Sequence, residues 1–217
     1  MKRSLPAVLF LALSLAGGEA TSDEPAVGAH LPSGAAAAAE LLPALVAYAE
    51  LDAHPGRFLG RRVRVHVQAG AWVERWDPFL TRFGSEEFRA LDAWADEQRL
   101  WEAAEHAAPL ARLFVRRGSA AEWALSQART FDRFELELDV RSVLVDRPWV
   151  EVSTVRPLEG GWSEGALIHA ARAADLHAKG ADTRARGELE RALRGPLHES
   201  ARRALAELAS AGPREGG

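Results

Sequence analysis

The clearest pattern in the chain is the alternation of polar and apolar residues in Arg61-Arg62-Val63-Arg64-Val65-His66-Val67-Gln68. A period of two is that of a half-buried β-strand, so Val63, Val65 and Val67 are expected to face a core and Arg62, Arg64 and His66 the other side. The same period returns at Phe134, Leu136, Leu138 and Val140, interleaved with Arg133, Glu135, Glu137, Asp139 and Arg141. Asp146-Arg147-Pro148 supplies a turn before a third strand, Trp149 to Val155, and the apolar run Leu113-Phe114-Val115 gives a fourth. Between the first strand and that run lies an insertion, about residues 70–110, with helical spacing. Ser85 is placed there as an N-cap, with Glu86 and Glu87 in the first turn and Phe88, Leu91 and Ala95 following at helical intervals. Ser119-Ala120-Ala121-Glu122 has the form of a capping box, so a short helix carrying Trp123 and Leu125 is expected before the second alternating strand.

From Ser163 to Ala211 the period becomes helical. Leu167, Ala171, Ala174 and Ala178 form one stripe, Ala185, Leu189, Ala192 and Leu193 a second, and Leu197, Ala201, Ala204, Leu205 and Leu208 a third, with breaks at Gly180 and Pro196. Gly160-Gly161 reads as a hinge into this tail.

The N-terminal end has its own pattern. Lys2 and Arg3 precede an apolar run from Leu5 to Ala16, and Gly17-Gly18-Glu19-Ala20 puts small residues where a signal peptidase acts. A run of that length is too short to cross a bilayer, which takes about 20 residues. A cleavable signal peptide over residues 1–20 is therefore expected, with cleavage near Ala20, a periplasmic or secreted destination, and no membrane span after cleavage. Residues 21–34, rich in Pro, Gly and acidic side chains, read as a flexible leader, and residues 212–217 as a disordered C-terminus. Ala35 to Leu42 favours a helix that Pro43 interrupts or restarts.

Composition sharpens this. The chain has 217 residues, no cysteine and a net charge of −4, and cleavage after Ala20 would make that −5 by removing Lys2, Arg3 and Glu19. An acidic exported chain is not expected to bind polyanions in general, and without disulfides its fold rests on its core. Lys2 and Lys179 are the only lysines, and the Ala, Arg and Gly bias is that of a GC-rich bacterial genome.

The lead from Glu50-Leu51 through Pro55, Phe58 and Gly60 into the Val-x-Val-x-Val strand, then a helix and two late strands ending Pro-Trp-Val-Glu-Val, resembles small bacterial OB-fold barrels over about residues 51–157. The resemblance implies a barrel that often carries oligonucleotides or oligosaccharides on one face. The first two tail helices resemble one degenerate tetratricopeptide repeat, counted from Ala166, with Ala173, Gly180, Ala185, Leu189, Ala192 and Leu193 at its small or apolar positions. The expected fold class is thus α+β: a small OB-like β-barrel at 35–160 with an aromatic-rich helical insertion, then a helical hairpin plus capping helix at 161–211.

The candidate binding residues are Arg62, Arg64, Trp72, Arg75, Trp76, Phe79 and Arg82, where arginines and aromatics interleave as in a stacking platform for bases or sugars. The competing structural account pairs Arg62 and Arg64 across strands with Glu135, Glu137 and Asp139, and folds the aromatics over the barrel. No catalytic motif, no cofactor motif and no zinc-ligand spacing among the seven histidines is present, and His66 is expected to be solvated. Asp77, Glu86, Glu87, Asp92, Asp96 and Glu97 could supply the carboxylate pair of a hydrolase, but surface helix charges explain them equally. The expected function is non-catalytic binding or scaffolding at the bacterial cell envelope, with a protein partner first and a glycan second. Export weighs against nucleic acid, and a hydrolase is the remaining alternative.

Overall fold

A computed structural model describes residues 42–76 and 82–210, which belong to one compact unit. The signal and leader segments, the helix expected before Pro43 as far as Leu41, and Phe79 lie outside the described residues.

The paired elements run in the order α1 (Tyr48–Ala53), β1 (Arg62–Val73), β2 (Phe88–Ala95), α2 (Ala103–His106), β3 (Ala111–Arg116), α3 (Ala120–Ser126), β4 (Arg133–Leu144) and β5 (Arg147–Leu158), followed by α4 (Glu164–Ala178), α5 (Asp182–Ala192) and α6 (Glu199–Ser210). The architecture mixes α and β, and no described helix is long and apolar enough to cross a membrane. The strands close in the ring order β1-β2-β3-β5-β4, all neighbours antiparallel except β3 and β5. Closure places Val63, Val65 and Val67 against Leu136, Leu138 and Val140 inside the ring, as the alternation requires. Outside, Arg62 pairs with Asp139 (2.9 Å) and Arg64 with Glu135 (3.2 Å).

The helix expected from Ser85 is instead strand β2. Its residues alternate: Leu91, Ala93 and Ala95 face the barrel interior, while Phe88, Ala90 and Trp94 enter two clusters on the outer side. Burial on both faces removes the polar positions that reveal a period of two, and Phe88, Leu91 and Ala95 then mimic helical spacing. Among the described residues the insertion's helical content is one short turn, α2. The second hairpin also turns earlier than expected: Val145 (φ 50°) and Asp146 (φ 55°) make a two-residue loop, and Arg147 already pairs with Leu144.

In the tail, α5 and α6 bury the predicted stripes through Ala185, Leu189, Ala192, Ala201 and Leu205. In α4 the buried line is Ala166, Ala170 and Ala173, one position from the predicted one, and Ala178 is exposed. Both α4 and α3 have serine N-caps, Ser163 accepting from Ala166 N and Ser119 from Glu122 N. All three tail helices share one core with Trp94, Trp101, Phe131 and Trp162. Gly160-Gly161 is a point of close approach, not a hinge. A Cβ on Gly161 would lie 2.3 Å from the Phe131 carbonyl oxygen, and Gly160, at φ 84°, passes 2.9 Å from His198 N at its Cβ position. That amide donates to Gly160 O at 2.8 Å.

Candidate functional site

Three regions carry the chemistry of this surface. The first is the predicted arginine and aromatic segment. Arg62 and Arg64 are held by their cross-strand carboxylates, and Arg64 Nε also donates to Pro43 O at 2.7 Å. Trp72 is half-buried against the barrel core beneath the Arg89 guanidinium, 3.9 Å from its ring centre. Trp76 donates from Nε1 to Phe83 O (2.9 Å) and packs edge-on to Phe114. Phe83 stacks on Phe114, which Trp149 stacks on as well, at 4.2 and 5.3 Å between ring centres. The outer face of β2, β3 and β5 is therefore filled by the chain's own rings, against which Trp76 packs half-buried. Arg75 and Arg82, unlike the rings, are exposed.

Arg82 instead lines a cavity of about 440 Å³ with Arg61, Arg116, Arg141, Glu87, Asp139 and Glu151. The barrel's register assembles it. Gly60 N donates to Val140 O (2.9 Å) and Val140 N to Arg61 O (3.0 Å), which extends the β1–β4 ladder and brings Arg61 beside Arg141. Asp139 lies opposite Glu151 in β4 and β5, and Phe88 opposite Arg116 in β2 and β3.

The second region is a buried polar cluster between barrel and tail. Arg133 grips Asp96 through Nε and Nη2 at 2.9 and 2.6 Å and reaches Glu159 O through Nη1 at 3.0 Å. Its Nη2 also lies 3.3 Å from His66 Nδ1, so His66 accepts there and donates from Nε2 to Glu135 at 3.3 Å. His66 is thus half-buried in a network, not solvated as its place on the polar face implied. Burial pushes the Glu135 carboxyl up, but the His66 hydrogen bond with the Arg64 and Arg156 charges outweighs it and holds the carboxyl below its ordinary range. His198, 5% exposed, lies 3.8 Å from Asp96 and faces Gln68 Nε2 at 3.4 Å, while Gln68 Oε1 accepts from Trp162 N at 3.2 Å. Burial holds the His198 imidazole below its usual value. Asp96 opposes that, and Arg133 and His66 reinforce it. Among the described residues no three His, Asp or Glu side chains converge as metal ligands.

The third region is an apolar cleft of about 750 Å³ between α3, the start of β4, the end of β5 and the Gly160–Trp162 segment. Helix α3 turns Ala121 and Leu125 into the barrel core, which directs Trp123, two residues from each, outward at 72% exposure. Across the cleft stand Val155, Pro157 and Leu158. Strand β5 pairs with β3 only through Val150–Val152, so among the described residues its later residues pair with β4 alone and leave one edge open. Phe131, on the floor, holds φ 72°, a conformation that a bulky side chain rarely adopts.

Sequence reasoning missed Arg61, Arg116 and Arg141 as a group, because the register that joins them exists only once the barrel closes. It missed the role of Trp123, although the helical offset from Ala121 and Leu125 was available to show it. The chain matches no protein-family profile, no curated protein and no solved structure.

Proposed function

We propose that this chain is a non-catalytic, exported binding protein of the bacterial cell envelope that engages a protein partner through an extended apolar segment of that partner. The observation that carries this reading is the α3–β5 cleft, where an outward Trp123 faces the open edge of β5 across an apolar floor. An open strand edge offers main-chain hydrogen bonds to an added strand, and apolar walls select its alternate side chains. Helix and edge together fit an extended peptide better than they fit a second helix, which could not use the edge. The ring order of the strands and the helix between β3 and β4 support an OB-like reading of the barrel, and the α4–α5 pair a tetratricopeptide-like reading of the hairpin. The partner's segment, on this reading, lies where barrel and hairpin adjoin.

Selection of displayed random peptides on the intact chain tests this. The expected winners carry apolar residues at alternate positions, and Trp123→Ala weakens them on the order of tenfold. Peptides with no apolar alternation, or binding that Trp123→Ala leaves intact, would overturn the reading.

A further inference from the structure

We infer that the four-arginine cavity is a separate ligand site, built for a singly charged, polyhydroxylated acid such as a uronic acid residue. It shares no lining residue with the α3–β5 cleft, so it stands or falls independently of the partner reading. Its volume, about 440 Å³, suits a small molecule.

Two of its arginines are fixed in place. Arg116 lies over the Phe88 ring, 4.6 Å from its centre, and donates from Nε to Glu151 (3.1 Å) and from Nη1 to Glu87 (3.3 Å). Arg141 grips the other Glu151 oxygen through Nε and Nη2, at 2.9 and 2.8 Å. Glu151, only 8% exposed, thus orients both guanidiniums and leaves Nη2 of Arg116 and Nη1 of Arg141 unbonded. Ion pairing accounts for these two. It does not account for Arg61 and Arg82, whose side chains have no hydrogen-bond or ion-pair partner among the described residues although the chain as a whole is acidic.

The wall then defines the ligand. Four guanidiniums against three carboxylates leave one net positive charge, which matches one negative charge on the ligand. A phosphate monoester, closer to two charges, would meet repulsion from Glu87, Asp139 and Glu151. Glu151 is taken up by Arg116 and Arg141 and Asp139 by Arg62, which leaves Oε1 of Glu87 to accept from a ligand hydroxyl, while Arg61 and Arg82 offer the forked donors that a carboxylate takes. A sugar acid carries both kinds of group on one ring.

Calorimetric titration of the intact chain with D-glucuronate, D-glucose and inorganic phosphate tests the site. Glucuronate is expected to bind saturably and to weaken as salt is raised, with glucose and phosphate each weaker on the order of tenfold. Arg61→Ala and Arg82→Ala, both at exposed positions, should each weaken glucuronate about tenfold, and Arg203→Ala on α6 should not. No saturable glucuronate binding, phosphate or glucose binding as tightly, salt-independent binding, or unchanged affinity in both arginine variants would each overturn the inference.

Discussion

Protonation of His198 would put N–H donors on both ring nitrogens, one facing the Gln68 amide nitrogen and the other the Ala201 amide. Its Nε2 faces the Gln68 amide nitrogen, and Gln68 cannot turn over without losing Trp162 N from its oxygen. The groups around it are His66 and Gln68 from β1, Asp96 beyond β2, Arg133 from β4 and Ser200 from α6, and of these only Asp96 favours the charge. The folded chain holds His198 below the ordinary imidazole value of about 6.5, so as pH falls the unfolded chain takes up the proton first. Stability is therefore intact above that value and declines beneath it, until the folded-state value is passed. Thermal unfolding between about pH 7.5 and pH 5 should show this decline, and His198→Gln should flatten it while lowering stability at neutral pH by about 1 kcal/mol. A full slope retained in the variant would assign the decline to other groups. None of this was legible in the sequence, where Gln68 and His198 are 130 positions apart and neither stands in a motif.

At the scale of elements, legibility followed burial. β1 and β4 bury one face and keep ion pairs on the other, so their alternation survives in the sequence and even their cross-strand charges could be paired by inspection. β2 buries both faces and reads as a helix. The difference lies in what covers the outside: the rings of Phe83, Phe88, Phe114, Trp76 and Trp149 do for β2 what water does for β1. Two of the aromatics expected in a stacking platform, Trp76 and Phe83, are part of that cover. Phe83→Ala, which removes a ring 2% exposed and stacked on Phe114, should cost about 3 kcal/mol in denaturant unfolding. A cost below about 1 kcal/mol would show that the rings cover the sheet without stabilising it.

Over the whole molecule, the helical tail has no interior of its own but shares one with the outer side of the barrel. Trp94 and Trp101, from β2 and the segment after it, and Phe131, before β4, are buried with Ala170, Leu189 and Leu205 of the tail. Composition and period divide the sequence at Gly160-Gly161, yet both glycines are points of close backbone approach, to Phe131 and to His198. The intact chain is expected to unfold in one transition, with tryptophan fluorescence and far-ultraviolet circular dichroism coinciding. A chain ending at Gly161 should lose that cooperativity and associate through the uncovered rings. Two separated transitions in the intact chain would contradict the shared core.

That shared core also sets a schedule. During synthesis the segments that form the barrel leave the ribosome before α6, so Trp94, Trp101 and Phe131 wait without their final cover until Ala201 and Leu205 have been made. Cover over those rings is complete only once α6, the last described helix, has packed, and a chain cut short before it displays indole and phenyl rings that the full chain hides.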